Sequence, residues 1–261
     1  MQNDLTIINH AFDEDVTIYP VADVHLGALE ADENAWNDFV RMVRADPSAK
    51  VLLLGDLVNN ATKSSVSDVY KETMTPAEQK AAMVRYLEPL QHQIIGAVSG
   101  NHEQRTAKES GQDITYDILA KLDLEDLYRE SMAFIKIGLG SRTYKGDIKP
   151  RCTYMIAATH GSGGGMTGAV VNRGERFGAV IDGVDIIFTA HSHKGAVTRP
   201  QKIVFDPQRN KVSFKTYTLV STESWLTFGG YAARKMLLPA ENCRPPKIRL
   251  HNDLKDVEVI W

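Results

Sequence analysis

Val98-Ser-Gly-Asn-His-Glu103 is the stretch on which the reading of this chain turns. It follows the apolar run Ile94-Ile95-Gly96-Ala97-Val98 and sets an amide, Asn101, beside an imidazole, His102, at what reads as a strand end. Alone, such a turn says little. Four other short segments also close an apolar run with metal-type ligands: Asp23-Val-His25, Gly55-Asp56, His160-Gly161 and His191-Ser-His193.

The runs that precede them set out the fold. Val16-Thr-Ile-Tyr-Pro-Val21 is rich in β-formers and leads to Asp23. Trp36, Phe39, Val40 and Val43 then recur at helical spacing until Asp46-Pro47 stops them, and Val51-Leu-Leu-Leu54 empties into Gly55-Asp56. This alternation predicts a right-handed βαβ unit with parallel strands. Residues 59–74 are polar and pattern-poor, which predicts an insertion or loop over the pocket. Thr75-Pro-Ala-Glu78 has capping-box spacing with proline at the first helical position, and Val84, Leu87 and Leu90 supply that helix with a buried stripe. Ile114, Ile118, Leu119 and Leu122 mark a further helix, and 169–181 another. Strands are expected at 133–137, 154–159, 185–189, 197–205, 212–220 and 231–238, with the apolar tail 257–261 adding or covering a sheet edge.

The composition excludes several function classes. With 261 residues, 43% hydrophobic and 24% charged, this is an ordinary globular chain, read as one domain over 1–261. A net charge of -3 gives no global attraction to nucleic acid or anionic membrane, although a local basic groove stays open. Cys152 and Cys243 lack CxxC spacing, against a disulfide framework or structural zinc, so a cytoplasmic setting is the expectation. No apolar run reaches the ~20 residues that span a bilayer, so no membrane partner is expected.

Open α/β folds place ligands at the carboxyl ends of their strands. Here those ends carry Asp23, His25, Asp56, Asn101, His102, His160, His191 and His193. Imidazole suits zinc, iron, manganese or nickel, and carboxylate or amide oxygens suit harder divalent ions. The set is too rich for one tetrahedral zinc. Two ions sharing a carboxylate fit better, the arrangement that clamps attacking and leaving oxygens in phosphoryl transfer with ions roughly 3.5–4 Å apart.

The order DxH, GDxx, GNH[DE], H and GHxH resembles the calcineurin-like metallophosphoesterase superfamily over about 16–195. The resemblance implies an α/β, four-layer fold with two mixed β-sheets face to face and helices outside. It implies that Asp23, His25 and His193 hold one divalent ion, that Asn101, His160 and His191 hold a second, and that Asp56 bridges both. Manganese is the first expectation, with iron, zinc, nickel or magnesium as alternatives. His102 then faces the substrate phosphate as the catalytic histidine, an imidazolium that neutralises the phosphoryl oxygens or leaving group while a hydroxide between the ions attacks phosphorus. Two departures stand out. Ala190 replaces the usual glycine before His191, and Asn59-Asn60 replaces the Asp-Arg of the superfamily's Ser/Thr protein phosphatases. Asp23-Val-His-Leu-Gly27 is similar to the start of the Mre11/SbcD-type nucleases.

The expected activity is therefore metal-dependent hydrolysis of a phosphate ester, with a phosphodiesterase or nuclease acting on DNA, RNA or nucleotides favoured. A phosphomonoesterase and a non-catalytic scaffold are the alternatives, and a homodimer is compatible with either. Asn59 and Arg105 are candidate substrate contacts; Arg173 and Arg176 are candidates too, or a solvated helix face. Gly161-Ser-Gly-Gly-Gly165 reads equally as a phosphate nest or a connector. Lys63, Tyr70 and Lys71 read as insertion surface, Trp225 and Phe228 as core or interface aromatics, and His10, His92 and His251 as exposed or satisfied histidines.

Overall fold

The computed structural model of the chain describes residues 5–63, 65, 69–163, 167–230, 233 and 244–261. Two mixed sheets of six strands form its centre. One runs, in spatial order, β16 (Val257–Ile260), β15 (Lys247–Leu250), β2 (Val16–Val21), β3 (Ala49–Leu53), β4 (Ile94–Val98) and β5 (Tyr128–Arg129). The other runs β1 (Ile7–Phe12), β6 (Met132–Leu139), β9 (Cys152–Thr159), β10 (Ile186–Thr189), β14 (Thr218–Ser221) and β11 (Ala196–Thr198). Hairpins β7–β8 (Arg142–Tyr144, Asp147–Lys149) and β12–β13 (Gln201–Asp206, Lys211–Thr216) stand apart from both sheets. Strands β2 to β5 are mutually parallel, as are β9, β10 and β14.

Because successive strand residues point to opposite faces, each central strand feeds two cores. Leu52 and Leu54 meet Ile135, Tyr154, Ile156 and Phe188 between the sheets. Val51 and Leu53 face outward to helix α1 (Glu33–Ala45), α2 (Pro76–Leu87) and α4 (Ile114–Lys121), through Trp36, Phe39, Met83, Leu87 and Ile118. On the far side, Ile187 and Leu219 meet Phe177 and Ile181 on and just past α5 (Thr167–Val180). The result is the four-layer sandwich that the resemblance implies. Both faces of the central strands are covered, which is why they read as continuous apolar runs.

Several local expectations hold. Thr75 and Glu78 form the capping box with Pro76 behind it, β2 and β3 are parallel, and the tail forms an edge strand. Others change. The buried stripe of α2 is Gln79, Ala82, Met83 and Leu87, with Val84 only half-buried. The runs at 197–205 and 212–220 each break in two, because Pro200 and Tyr217 separate sheet strands from the projecting hairpin β12–β13. That hairpin leaves Ile203, Phe205, Val212 and Phe214 exposed on one face. The expected strand at 231–238 lies outside the described residues except for Ala233, which donates to Gly229 O (3.1 Å) as a helical turn does. Gly164, Gly165 and Cys243 also lie outside them. No helix among the described residues is long and apolar enough to cross a membrane. Of the three unassigned histidines, His92 is exposed, His10 bonds Ile95 O (2.8 Å) and His251 pairs with Asp15 (3.2 Å).

Trp225 ties the layers to the site. It follows β14, yet its ring lies 5.1 Å from Trp36 and 5.0 Å from Phe39, in the helix layer of the other sheet. Its backbone N–H donates to Asp23 O (3.0 Å) and its backbone carbonyl accepts from Asp32 N–H (2.9 Å). Removing this buried indole forfeits its packing and leaves a cavity. Trp225→Ala is expected to destabilise by about 3–5 kcal/mol, read as a lowered urea midpoint; an unchanged midpoint would contradict the packing role.

Candidate metal centre

Five strand ends meet at one place. The first sheet contributes the turns after β2 (Asp23, His25), β3 (Asp56) and β4 (Asn101, His102); the second contributes those after β9 (His160) and β10 (His191, His193). These turns are sharply bent. Asp23, His25, Asp56, His191 and His193 have φ of 53°, 49°, 51°, 69° and 55°, in the left-handed region that non-glycine residues seldom enter. Strain at this many adjacent positions is a mark of function rather than of folding. Ala190 is not among the positive-φ residues, so a methyl group replaces the usual glycine there without backbone cost.

A buried carboxylate holds two of the turns together. Glu103, at the start of helix α3 (Glu103–Ser110), accepts from the backbone N–H groups of Asp56 (3.0 Å), Leu57 (2.6 Å), Val58 (3.2 Å) and Gly100 (3.1 Å). Burial and the adjacent Asp56 push its carboxyl up to about 7, against the backbone donors that favour the ionised form. The turns touch so closely that a Cβ on Gly55 would strike Gly100 N, and one on Gly100 would strike the Asp56 carboxylate. Asp56 is thereby fixed: Oδ1 accepts from His102 N–H (2.8 Å), and Oδ2 faces the histidines.

Around Asp56 Oδ2 the donors fall into two sets. His160 Nε2 lies 3.3 Å from it, 3.1 Å from Asn101 Oδ1 and 3.1 Å from His191 Nδ1. His25 Nε2 lies 4.0 Å from it, 3.1 Å from His193 Nε2 and 3.7 Å from Asp23 Oδ1, while His193 Nε2 is 3.2 Å from that same oxygen. Asp23–His25–His193 and Asp56–His160–His191 are each compact enough to hold one ion. The chemistry of these donors fits a cation. His160 Nδ1 is 2.6 Å from Leu54 O, an acceptor only, so Nδ1 carries the proton and Nε2 of the neutral ring turns a lone pair on other acceptors. Asp23 Oδ1 is buried and, among the described residues, has only the imidazoles of His193 and His25 facing it rather than a well-aligned hydrogen-bond donor. Burial alone would lower His160, yet Asp56 and Asp23 raise it to about 10; protonation is one answer to this crowd of acceptors, and a divalent ion is the other. Burial would raise Asp56 and Asp23, yet the surrounding imidazoles hold both well below the usual carboxylate range.

His102 also stands near, with Nε2 3.8 Å from Asp56 Oδ2, and with His25 and Asp56 it makes a third group compact enough to hold an ion. Its environment separates it from the ligands. Nδ1 donates to Asn59 O (2.7 Å), and Arg105 Nη2 lies 2.9 Å from Nε2, so a guanidinium already engages the lone pair that a metal would need. Burial, with His25 and Arg105 nearby, lowers His102 to about 3. That direction runs against the imidazolium expected of this residue, and Arg105 brings a positive charge beside the ring. Asn59 enters the site through its backbone carbonyl; its side-chain amide turns away to Glu72 (2.5 Å). Asn60, at φ 43°, braces the turn by donating Nδ2 to His102 O (2.7 Å) and N–H to the buried Gln79 Oε1 (2.8 Å). Arg173 and Arg176, on α5, line a cavity that none of the eight converging side chains lines; Tyr70 and Phe228 are exposed. Sequence reading assigned no role to Glu103, Asn60 or Gln79, although the acidic residue closing Gly-Asn-His-Glu was the available signal for the first.

Glu103→Gln keeps the shape but turns an amide N–H toward backbone N–H donors. It is expected to cost about 1–3 kcal/mol, measured by thermal unfolding in excess chelator so that metal binding does not enter. An unshifted melting temperature would remove the clamp from the account.

The calcineurin-like phosphoesterase model matches residues 16–195, a span that includes all eight converging side chains. No curated protein gives a significant match. Among solved structures, a Thermotoga maritima protein determined by NMR in solution is 12% identical, with 94% of this chain and 98% of that chain covered and a TM-score of 0.34. A cold-active protein-tyrosine phosphatase of a psychrophilic Shewanella is also 12% identical, with 99% and 84% covered and a TM-score of 0.38. Likenesses this distant carry no argument about activity. The family model does: matched over well more than half of the 261 residues, it identifies this chain as a member of the calcineurin-like phosphoesterase family.

Proposed function

We propose that residues 1–261 act as one phosphodiesterase unit that uses two divalent ions, manganese first among them, to hydrolyse a nucleotide or nucleic-acid ester. The observation that carries the metal dependence is the convergence of His25 and His193, and of His160 and His191, each pair 3.1 Å apart, on the two sides of Asp56. Asp23, His25 and His193 would hold one ion, Asn101, His160 and His191 the other, with Asp56 shared. When bound, such ions acidify water toward ~7 and neutralise phosphoryl oxygens.

The remaining groups act on the substrate. His102 faces the phosphate from the β4 side, with its ring fixed by the bond to Asn59 O. Arg105, anchored to the same carbonyl (3.1 Å), brings a guanidinium to that side, where it can offset charge gathering on a phosphoryl oxygen. The absence of the protein phosphatases' Asp-Arg pair at Asn59-Asn60 supports diesters over phosphoproteins. Arg105 is also the feature that favours a monoesterase, since it supplies a phosphate-gripping cation by another route.

Turnover of bis-p-nitrophenyl phosphate and p-nitrophenyl phosphate with added manganese decides between them. Diester turnover is the expected result; monoester turnover alone selects the second reading, and turnover of neither leaves a binding scaffold. His102→Ala is expected to retain its metal and lose most activity, about 10²-fold or more for a group acting in the transition state. Asp56→Asn is expected to lose metal and activity together. Elemental analysis showing metal loss in His102→Ala would make His102 a ligand and overturn its assignment.

A further inference from the structure

Next to the chain positions of His160 and His191 lies a cavity of about 370 Å³. Gly161, Ala190 and Ser192, the immediate chain neighbours of those two histidines, are part of its lining. Helix α5 supplies Val170, Arg173, Gly174, Arg176 and Phe177. It can lie this close because Gly174 has no side chain; a Cβ there would run into Leu219.

The lining is of two kinds. Met132 and Phe177 offer apolar and aromatic surface. Arg173 and Arg176, one helical turn apart, add two guanidinium charges, and Arg173 Nη1 is held at the wall by Ser162 O (3.1 Å). None of the lining residues is acidic. A volume of this size lies within the ~300–1,000 Å³ range of small-ligand pockets. Apolar surface beside two guanidinium groups suits a flat heterocycle joined to an anion, and arginine matches phosphate in geometry as well as charge.

We propose that this cavity is the subsite for the nucleoside next to the scissile phosphate, with that nucleoside's own further phosphate held by Arg173 and Arg176. The inference rests on the phosphodiesterase reading and narrows it: the substrate is a nucleotide diester bearing a second phosphate, as in an oligonucleotide. The centre between the sheets handles the scissile phosphate, and the α5 side selects what is attached to it.

The test uses deoxythymidine bisphosphate, with one phosphate on each sugar hydroxyl, titrated into the metal-free protein by calorimetry. Bisphosphate binding is expected to weaken about tenfold or more from the unmodified protein to an Arg173→Ala/Arg176→Ala variant, and Arg176→Lys is expected to bind more tightly than Arg176→Ala. In parallel, a thymidine dinucleotide with a terminal phosphate should be cleaved with a kcat/KM about tenfold above its counterpart lacking that phosphate, and the double variant should erase the preference. Equal bisphosphate affinity in both proteins, or none in either, overturns the subsite. Turnover of bis-p-nitrophenyl phosphate separates the two claims. Diester hydrolysis without arginine-dependent binding sinks the subsite alone; arginine-dependent binding without diester hydrolysis sinks the phosphodiesterase reading alone.

Discussion

Four backbone N–H groups from two different turns end on one buried carboxylate, that of Glu103. Each donor would otherwise be an unpaired polar group out of reach of water, at a cost comparable to a lost hydrogen bond. By satisfying all of them, Glu103 fixes the turn after β3 against the turn after β4, and the glycines at 55 and 100 let the two backbones touch. Asp56 has no freedom left. Its Oδ2 must point at the histidines, and the division of the donors into two sets around it follows.

The second constraint is the packing between the sheets. Three of the converging turns belong to one sheet and two to the other, and each donor set draws on both, so the distances within each set are governed by the apolar layer of Leu52, Leu54, Ile135, Tyr154, Ile156 and Phe188. Several bonds cross that boundary at the site; in one of them His160, from the second sheet, donates Nδ1–H to Leu54 O of the first, and in another His191 N–H donates to Asp23 Oδ2 (3.0 Å). The His160 bond fixes the tautomer and helps to set the separation. A loosened inter-sheet core would be felt first as a misplaced His160.

How far this was legible from residues alone depends on the physics of each element. Val51-Leu-Leu-Leu54 and Ile94 to Val98 were readable because strands covered on both faces are apolar throughout, and the ligands follow directly at their ends. β1 and β15 were not: Ile7–Phe12 and Lys247–Leu250 leave alternate side chains exposed and carry His10, Asn9, Lys247 and Arg249, so their pairing is decided by distant strands. The eight converging residues were legible because each sits in a short motif. Glu103 was visible as a residue but not as a clamp, since its partners are backbone groups that no side-chain pattern records. The identity of Asn59 suggested a side-chain contact, whereas the fold uses its carbonyl. His102 is expected to carry charge, whereas burial first, then His25 and Arg105, lowers its pKa; the nearness of Arg105 comes from α3, which is not among the elements expected from the sequence.

The left-handed backbone at Asp23, His25, Asp56, His191 and His193 bears on how freely this centre can be re-engineered. Aspartate, asparagine and histidine are among the side chains that enter that conformation most readily, and β-branched residues are among the least tolerant. Exchanging donors to alter metal preference would therefore probe the main chain as much as the coordination chemistry. A replacement with suitable donor atoms but a poor fit to those dihedral angles would fail before any ion arrived.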